Sequence, residues 1–285
     1  MKCPVCNFNY SRPFIKDERG YLIVSCNNCK HVYLDFEPLP DHVSSVYSDD
    51  YFKGREDGYP DYIQLEPLLI RRGHYYSKII GQFTGPGNML DVGCGSGFIM
   101  KGFKDDGWEV KGIEPNINMA KYAKDKFDFD ISETAFEQYQ DQRTFDLITM
   151  IQVFAHFYDV RKCLKKASQF LKPNGLLLIE TWNKNSLTAK VMGDAWHEYS
   201  PPSVTNWFTP PSLNMLVEQY NFKNLISKRT FKKIQLKHAK SLLSSKSEKS
   251  FIIRIIAKIV KFFPNETELI YPADDLFYMV FRKTS

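Results

Sequence analysis

The stretch Met-Leu-Asp-Val-Gly-Cys-Gly-Ser-Gly, Met89 to Gly97, limits what this chain can fold into more than any other segment. An apolar run carrying the acid Asp91 leads into three alternating glycines, Gly93, Gly95 and Gly97, which permit a tight turn and a close approach of backbone to ligand. Phe98 to Lys104 can begin a helix, and Trp108 to Ile113 makes a second strand with Glu114 at its carboxyl end. The spacing fits one strand, helix, strand unit of a parallel sheet, and a carboxylate at the second strand tip can accept both hydroxyl hydrogens of a ribose. The segment therefore reads as a nucleoside site.

Charge narrows the nucleoside. A dinucleotide fingerprint would place glycine where this chain has Phe98, and a pyrophosphate beside the loop would be repelled by Asp91. S-adenosylmethionine carries no phosphate; its sulfonium and ammonium suit an acid, and its carboxylate suits bare loop amides. On these residues the chain resembles the class I S-adenosylmethionine-dependent methyltransferases, whose first motif is an acid followed by Gly-x-Gly-x-Gly and whose second is an acid on the next strand. The resemblance implies that Asp91, Gly93, Cys94, Gly95, Gly97, Glu114 and Pro115 surround the cofactor. It also implies that an N-terminal segment folds over it, which makes Tyr47 and Tyr51 candidate lid residues, with ordinary aromatic packing as the alternative.

A second pattern lies at the N-terminus. Cys3-Pro-Val-Cys6 and Cys26-Asn-Asn-Cys29 stand nineteen residues apart, with Phe14 to Ile15 and Tyr21 to Val24 able to form short strands around Gly20. Two such knuckles supply four thiolates in tetrahedral geometry, the zinc-ribbon pattern. A four-sulfur site leaves no open coordination position, so Zn2+ held there would support a segment too small for its own core and take no part in chemistry. His31 is either a substitute ligand or a surface residue, Cys94 belongs to the glycine loop, and Cys163 reads as helix packing. Paired cysteines of this kind point to a reducing compartment. No apolar run is long enough to span a membrane and none follows Met1 as a secretory segment, so the expected location is cytoplasmic.

Between these patterns, Asp35 to Pro40 reads as a linker and Tyr62 to Phe83 as a lead-in helix, with Ile63, Leu69, Ile70, Tyr76, Ile79 and Ile80 at mixed three- and four-residue spacing. Beyond the glycine motif, Asn118 to Lys126 predicts a helix, Phe129 to Ile131 and Phe145 to Ile151 strands, and Val160 to Leu171 a helix ended by Lys172-Pro173-Asn174-Gly175. Leu176 to Thr181 is a fifth strand. Strands alternating with helices argue an α/β fold with a parallel sheet. The resembling family shares the Lys-Pro-x-Gly turn, which extends the match to about Phe208. It implies a Rossmann-like, seven-stranded, mostly parallel sheet with helices on both faces and a C-terminal antiparallel strand pair, here Leu225 to Leu236 and Leu269 to Arg282. The expected organisation is a ribbon over residues 1–40, a lead-in and lid segment over 41–88, and a core over 89–285 interrupted by a basic helical insertion at about 238–264.

Ligands in such sheets bind beyond the carboxyl ends of the strands, so Asp91, Glu114, the Thr134 to Glu137 loop, Gln152 and Trp182 should converge. By resemblance, the loop after the third strand reads the adenine edge, placing Ala135 and Phe136 beside the ring with Glu133 or Glu137 as acceptor. Gln152 and His156 stand where the family usually has an acid and a histidine. Gln152 can still hydrogen-bond the methionine ammonium through its carbonyl oxygen, without charge assistance. His156 is a candidate base or a histidine packed at a helix start. Trp182, Asn183, Trp196 and Tyr199 are the candidate substrate contacts, in an aromatic, proline-stiffened insert suited to a lid, and His197 is a second candidate base. Val204 and Thr205 occupy the place where related small-molecule enzymes often carry a histidine.

From Asn221 to Phe263 there are twelve Lys or Arg against one acid, Glu248, whereas the whole chain carries a net charge of only +5. Residues 250–263 would form a helix with Arg254, Lys258 and Lys261 on one stripe. Such a helix suits a lid or dimer contact, an interfacial contact with anionic lipid, or an RNA backbone; its exposed Ile and Phe favour membrane over nucleic acid. The combined reading is methyl transfer from S-adenosylmethionine to a small molecule such as a sugar-derived, lipid-linked or quinone-like metabolite. The alternatives are methylation of ribosomal or transfer RNA, or a cofactor-binding scaffold without turnover.

Overall fold

The computed structural model describes residues 1–17, 19–37, 46, 62–230, 233–235, 240, 268–270 and 274–284, with backbone only at 233–235 and 268–270. Tyr47, Tyr51 and the basic helix expected at 250–263 lie outside the described residues. No described helix is long and apolar enough to cross a membrane.

The N-terminal segment forms β1 (Ser11–Lys16), β2 (Leu22–Cys26) and β3 (Val32–Leu34), an antiparallel meander turned at Gly20. Next come α1 (Glu66–Ile80), β4 (Asn88–Val92), α2 (Phe98–Asp105), β5 (Glu109–Ile113), α3 (Ile117–Phe127), β6 (Asp130–Ser132) and β7 (Phe145–Ile151). The chain continues through α4 (Val160–Phe170), β8 (Leu171–Trp182), α5 (Leu187–Met192), β9 (Asn206–Trp207), α6 (Pro210–Val217) and β10 (Phe222–Arg229). A short pair, β11 (Lys233–Gln235) with β12 (Glu268–Ile270), flanks the insertion, and β13 (Leu276–Lys283) closes the order.

Seven strands build the main sheet in the order β10-β13-β8-β7-β4-β5-β6. The five from β8 to β6 are parallel, while β13 runs antiparallel to both β8 and β10. This is the expected sheet. Its central strands are buried on both faces and so read as apolar runs: Leu90, Ile148 and Leu178 have no exposed surface, and each such side chain contributes roughly 1.5–3 kcal/mol of burial. The helices form for local reasons. In α4 the Asp159 side chain accepts from the Lys162 amide, and Val160, Cys163, Leu164 and Ala167 present one buried stripe at helical spacing.

The Lys-Pro-Asn-Gly turn is not a loop between helix and strand. The helix stops at Phe170, Leu171 already pairs with Phe145, and Leu176 resumes the ladder opposite Leu147, so Lys172 to Gly175 bulge out of β8. Asn174 takes the left-handed conformation there, φ 63°.

The ribbon is not a separate bead. Strand β9, from the insert after β8, pairs with β3 and extends the ribbon to four strands, Val32 opposite Trp207 and Tyr33 opposite Asn206. The Leu34 amide donates to the Thr205 carbonyl at 2.9 Å, and Arg161 and Gln219 both donate to the Val5 carbonyl. This corrects two expectations. His31 is neither a ligand nor a surface residue: it is fully buried, and Nε2 donates to Asn206 Oδ1 at 3.2 Å. Nor is the aromatic insert a free lid, because Trp196, Trp207 and Val204 pack with Ile23, Val32 and Leu34 of the ribbon. A unit this small cannot bury its own strands, so it takes apolar surface from the insert.

On the other face, α1 crosses α2 at a pair of glycines. A Cβ on Gly73 would sit 2.3 Å from the Ile99 carbonyl oxygen, and one on Gly102 would sit 2.5 Å from the Ile70 carbonyl oxygen, both rigid backbone. Gly102→Val should therefore cost about 1–3 kcal/mol or more through forced separation of the helices. Thermal unfolding should show a midpoint several degrees lower; an unchanged curve would mean that the crossing does not bear on stability.

Candidate functional site

In this sheet the chain runs outward from β4 through β5 to β6 and then returns to place β7 on the other side of β4, so the strand order reverses between β4 and β7. A reversal leaves a crevice at the strand ends with no crossover helix covering it. A cavity lies there, with an open mouth, where sheets of this kind bind small ligands. Its wall is supplied by Val92, Gly93 and Gly95 after β4, Glu114 and Pro115 after β5, Ala135 to Glu137 after β6, and Gln152, Val153 and His156 to Tyr158 after β7. Tyr62, just ahead of α1, forms the remaining side.

Glu114 is the best-held group in the cavity wall. One carboxylate oxygen accepts from the Gly95 amide at 2.8 Å and the other from the Asn116 amide at 2.9 Å, leaving further lone pairs on both. Burial pushes its pKa up to about 7 against the pull of those two amides. Gly95 has φ 54°, and a Cβ there would meet the Tyr62 hydroxyl at 2.9 Å, so glycine allows the loop and the tyrosine to approach each other. Tyr62 also stacks on Phe98 with ring centroids 5.7 Å apart.

Asp91 takes a different place from the one expected. It is buried, it does not line the cavity, and its Oδ1 accepts from Thr149 Oγ1 at 2.6 Å across the β4–β7 pair. Burial raises its pKa to about 7, and the Glu114 charge adds to the rise. Cys94 and Gly97 also lie off the wall. The Cys94 thiol is buried and pushed well above its ordinary pKa by desolvation, and Gly97 serves as the left-handed cap of α2. Of the two acids named for the adenine loop, Glu137 lines the cavity, whereas Glu133 is ion-paired with Lys124 at 2.6 Å on the surface.

His156 faces the cavity, and its Nδ1 lies 2.6 Å from the Ser203 carbonyl oxygen. A carbonyl only accepts, so the neutral ring carries its proton on Nδ1. Burial lowers its pKa, opposed by the carbonyls of Ser203 and Gln152. The aromatic candidates gather elsewhere. Trp196 has no exposed surface and donates from Nε1 to Asp275 at 2.9 Å, which takes it out of reach of a ligand. Trp182 meets His197 edge-on at 4.8 Å, Tyr199 packs on Trp196 and Trp207, and the Asn183 amide donates to the Asp275 carbonyl; none of these lines the cavity. In their place stand Phe157 and Tyr158, whose hydroxyl donates to the Pro202 carbonyl at 3.3 Å.

Several of the residues that build the site gave little sign in the sequence. Tyr62 read as a helix start, Thr149 as an interior strand residue, and Glu180 as part of the strand run. The one available signal was an acid inside an otherwise apolar strand, Leu176 to Thr181, since a fully buried carboxylate needs a partner.

Apart from this cavity, the sulfurs of Cys3, Cys6, Cys26 and Cys29 lie within 4.8 Å of one another, Cys3 and Cys29 at 3.6 Å and Cys6 and Cys26 at 3.5 Å. Four thiolates around one tetrahedral ion at about 2.3 Å would stand about 3.8 Å apart, so the cluster has the dimensions to hold a metal ion.

Comparison with known proteins agrees with this architecture. A chain 35% identical over 102 residues is the ubiquinone biosynthesis O-methyltransferase of Rhodopseudomonas palustris (strain HaA2); the match covers 34% of this chain and 40% of that one. This chain thus spans less than half the length of that relative. Among solved structures, the Burkholderia thailandensis 1,6-didemethyltoxoflavin-N1-methyltransferase, crystallised with its substrate and S-adenosylhomocysteine, superposes with TM-score 0.56 at 15% identity over 96% of this chain and 100% of that one. An S-adenosylmethionine-dependent methyltransferase from Archaeoglobus fulgidus gives 0.53 at 17% identity over 78% and 99%. Both likenesses concern the fold. A family profile described as a methyltransferase domain matches residues 64–226, more than half of the sequence and all of the cavity wall except Tyr62. The chain therefore belongs to the methyltransferase domain family.

Proposed function

We propose that this protein transfers the methyl group of S-adenosylmethionine to a small-molecule acceptor, quinone-like, sugar-derived or lipid-linked, by in-line displacement at the mouth of the β4–β7 crevice. The carrying observation is Glu114: a buried carboxylate at the tip of β5, fixed by two amides and facing a largely apolar cavity whose described wall residues include no Lys or Arg to hold a phosphate. The ribose hydroxyls donate to Glu114, Ala135 and Phe136 flank the adenine, and Glu137 accepts from its amino group. The Gly93 to Gly95 turn approaches the methionine end, and Gln152 takes the ammonium. The sulfonium is a good leaving group, so alignment supplies most of the rate. His156, with Nδ1 held by the Ser203 carbonyl, is the candidate base for an acceptor that starts protonated. The O-methyltransferase name of the Rhodopseudomonas palustris relative supports a small acceptor.

Titration calorimetry with S-adenosylmethionine tests the cofactor. Binding is expected, and Glu114→Ala should weaken it roughly 10²-fold through loss of charged ribose bonds. Undiminished affinity would show that the ribose lies elsewhere.

The raised pKa values of Asp91 and Glu114 give stability and affinity opposite pH dependences. Both acids reach about 7 in the folded chain, above their ordinary values, so between about pH 4 and 7 the ligand-free fold binds protons that the unfolded chain does not. The stability these groups contribute therefore falls as pH rises through that window. Cofactor affinity should rise across it, because a sulfonium and an ammonium favour ionised acids. Calorimetry at about pH 5.5 and about pH 7.5 should give several-fold tighter binding at the higher value; equal affinities would contradict these roles.

We infer that the four cysteines bind one structural Zn2+, which supplies a closed cross-link and no reaction step. Metal analysis of the purified chain should find about one zinc per molecule. Cys26→Ser should lower the unfolding midpoint and change the fluorescence of Trp196 and Trp207, which pack against the ribbon. Four freely titrating thiols in the native protein would refute the site.

A further inference from the structure

His31 belongs to the ribbon and Phe157 to the cavity wall, and the Asn206 side chain stands between them. The His31 backbone is held by two of the four cysteines: its carbonyl accepts from the Cys26 amide at 2.8 Å, and its amide donates to the Cys29 sulfur. Its ring is fully buried, stacked on Tyr33 and tilted against Phe208, with ring centroids 6.0 and 5.0 Å away. From there Nε2 donates to Asn206 Oδ1 at 3.2 Å. Asn206, itself buried, donates from Nδ2 to the Phe157 carbonyl and to Thr205 Oγ1, both at 3.0 Å. Thr205 adds its own hydroxyl, 3.0 Å from the Ala155 carbonyl and 2.9 Å from that of Phe157.

Each partner in this link fixes the next. A backbone carbonyl only accepts, so the NH2 end of Asn206 faces Phe157 and its oxygen faces the His31 ring. Both amide hydrogens and the amide oxygen are thereby engaged. Leucine at this position would meet neither partner, and aspartate would set a second acceptor against the Phe157 carbonyl. The bonds lie out of water, where an unpaired polar group is costly, so the ribbon and the wall residue keep their places together. A metal ion that draws Cys26 and Cys29 to one point fixes His31 from one end. A ligand that packs in the cavity fixes Phe157 from the other. Two binding events that need the same bonds formed favour each other, and the effect is reciprocal.

We propose that Asn206, anchored by His31, is a positioning residue that ties the Phe157 side of the cavity to the metal-binding ribbon, so that a metal ion in the ribbon and S-adenosylmethionine in the cavity each tighten the hold on the other. The assignment rests on the reading of the cysteine cluster as a Zn2+ site and of the cavity as the S-adenosylmethionine site.

The test follows loss of zinc from the purified, zinc-loaded chain to excess chelator, with and without saturating S-adenosylmethionine. The cofactor should slow the loss by about fivefold or more, the lower end of ordinary coupling between two sites. Asn206→Leu should still bind both ligands but lose zinc at rates that agree within about twofold with and without S-adenosylmethionine. His31→Leu breaks the same link at its other end and should behave alike. His31→Gln, whose side-chain N–H can replace that of Nε2, should keep most of the slowing. A residue that merely stabilised the fold would change the rate of loss and leave its dependence on S-adenosylmethionine intact. Equal rates in the unsubstituted chain, with both ligands bound, would overturn the proposal without recourse to any variant, and so would a slowing that survives in either Leu variant. Calorimetry and metal analysis of the unsubstituted chain keep the premises separate. No binding of S-adenosylmethionine would overturn the cofactor assignment, no zinc would overturn the ribbon assignment, and the link would fall with either.

Discussion

Two residue pairs, Val32 with Trp207 and Tyr33 with Asn206, connect two parts of this molecule that lie far apart in the sequence. Through them the ribbon meets the insert after β8, and the insert in turn holds the wall of the cavity. Thr205 donates from its amide and hydroxyl to the Ala155 carbonyl, Asn206 donates to the Phe157 carbonyl, and Ser203 fixes His156. A break at the ribbon is therefore felt at His156 and Phe157 without any ribbon residue lining the cavity. The dependence runs both ways, since the ribbon has too few residues to cover its own apolar face.

The second organising feature is negative charge in a dry place. Asp91, Glu114 and Glu180 are all buried at the strand ends around one crevice, and they differ in what compensates them. Glu180 has a guanidinium, Asp91 has a hydroxyl, and Glu114 has two backbone amides. Burial raises the pKa of Asp91 and of Glu114 to about 7. A cation placed beside a desolvated carboxylate favours its ionised form and so lowers its pKa again.

How much of this was legible follows from the range of each signal. Gly93, Gly95 and Glu114 were readable because a tight turn and a strand-end acid lie within one local unit, and the four cysteines because their ligand spacing is local too. Asp91 was misplaced because the sequence gives its position at the strand end but not the Thr149 hydroxyl across the sheet that occupies it. Trp196 and His31 were misread for a shared reason: large aromatic and polar residues in a proline-rich loop or a metal ribbon look exposed until the two are brought together 175 residues apart, as His31 and Asn206 are. Tyr62 and Glu180 lie against Gly95 and Gln152 through contacts that no periodicity records.

The position of β13 has a consequence for how the chain is made. Residues 276–283 lie inside the sheet, between β8 and β10, although they are the last described strand to be synthesised. Until they leave the ribosome, the apolar edge of β8 has no neighbour on that side, and an unpaired edge is a template for association with other chains. The residues that line the crevice thus leave the ribosome before the strand that seals the sheet beside it. The interval between the two is set by the length of the intervening basic segment.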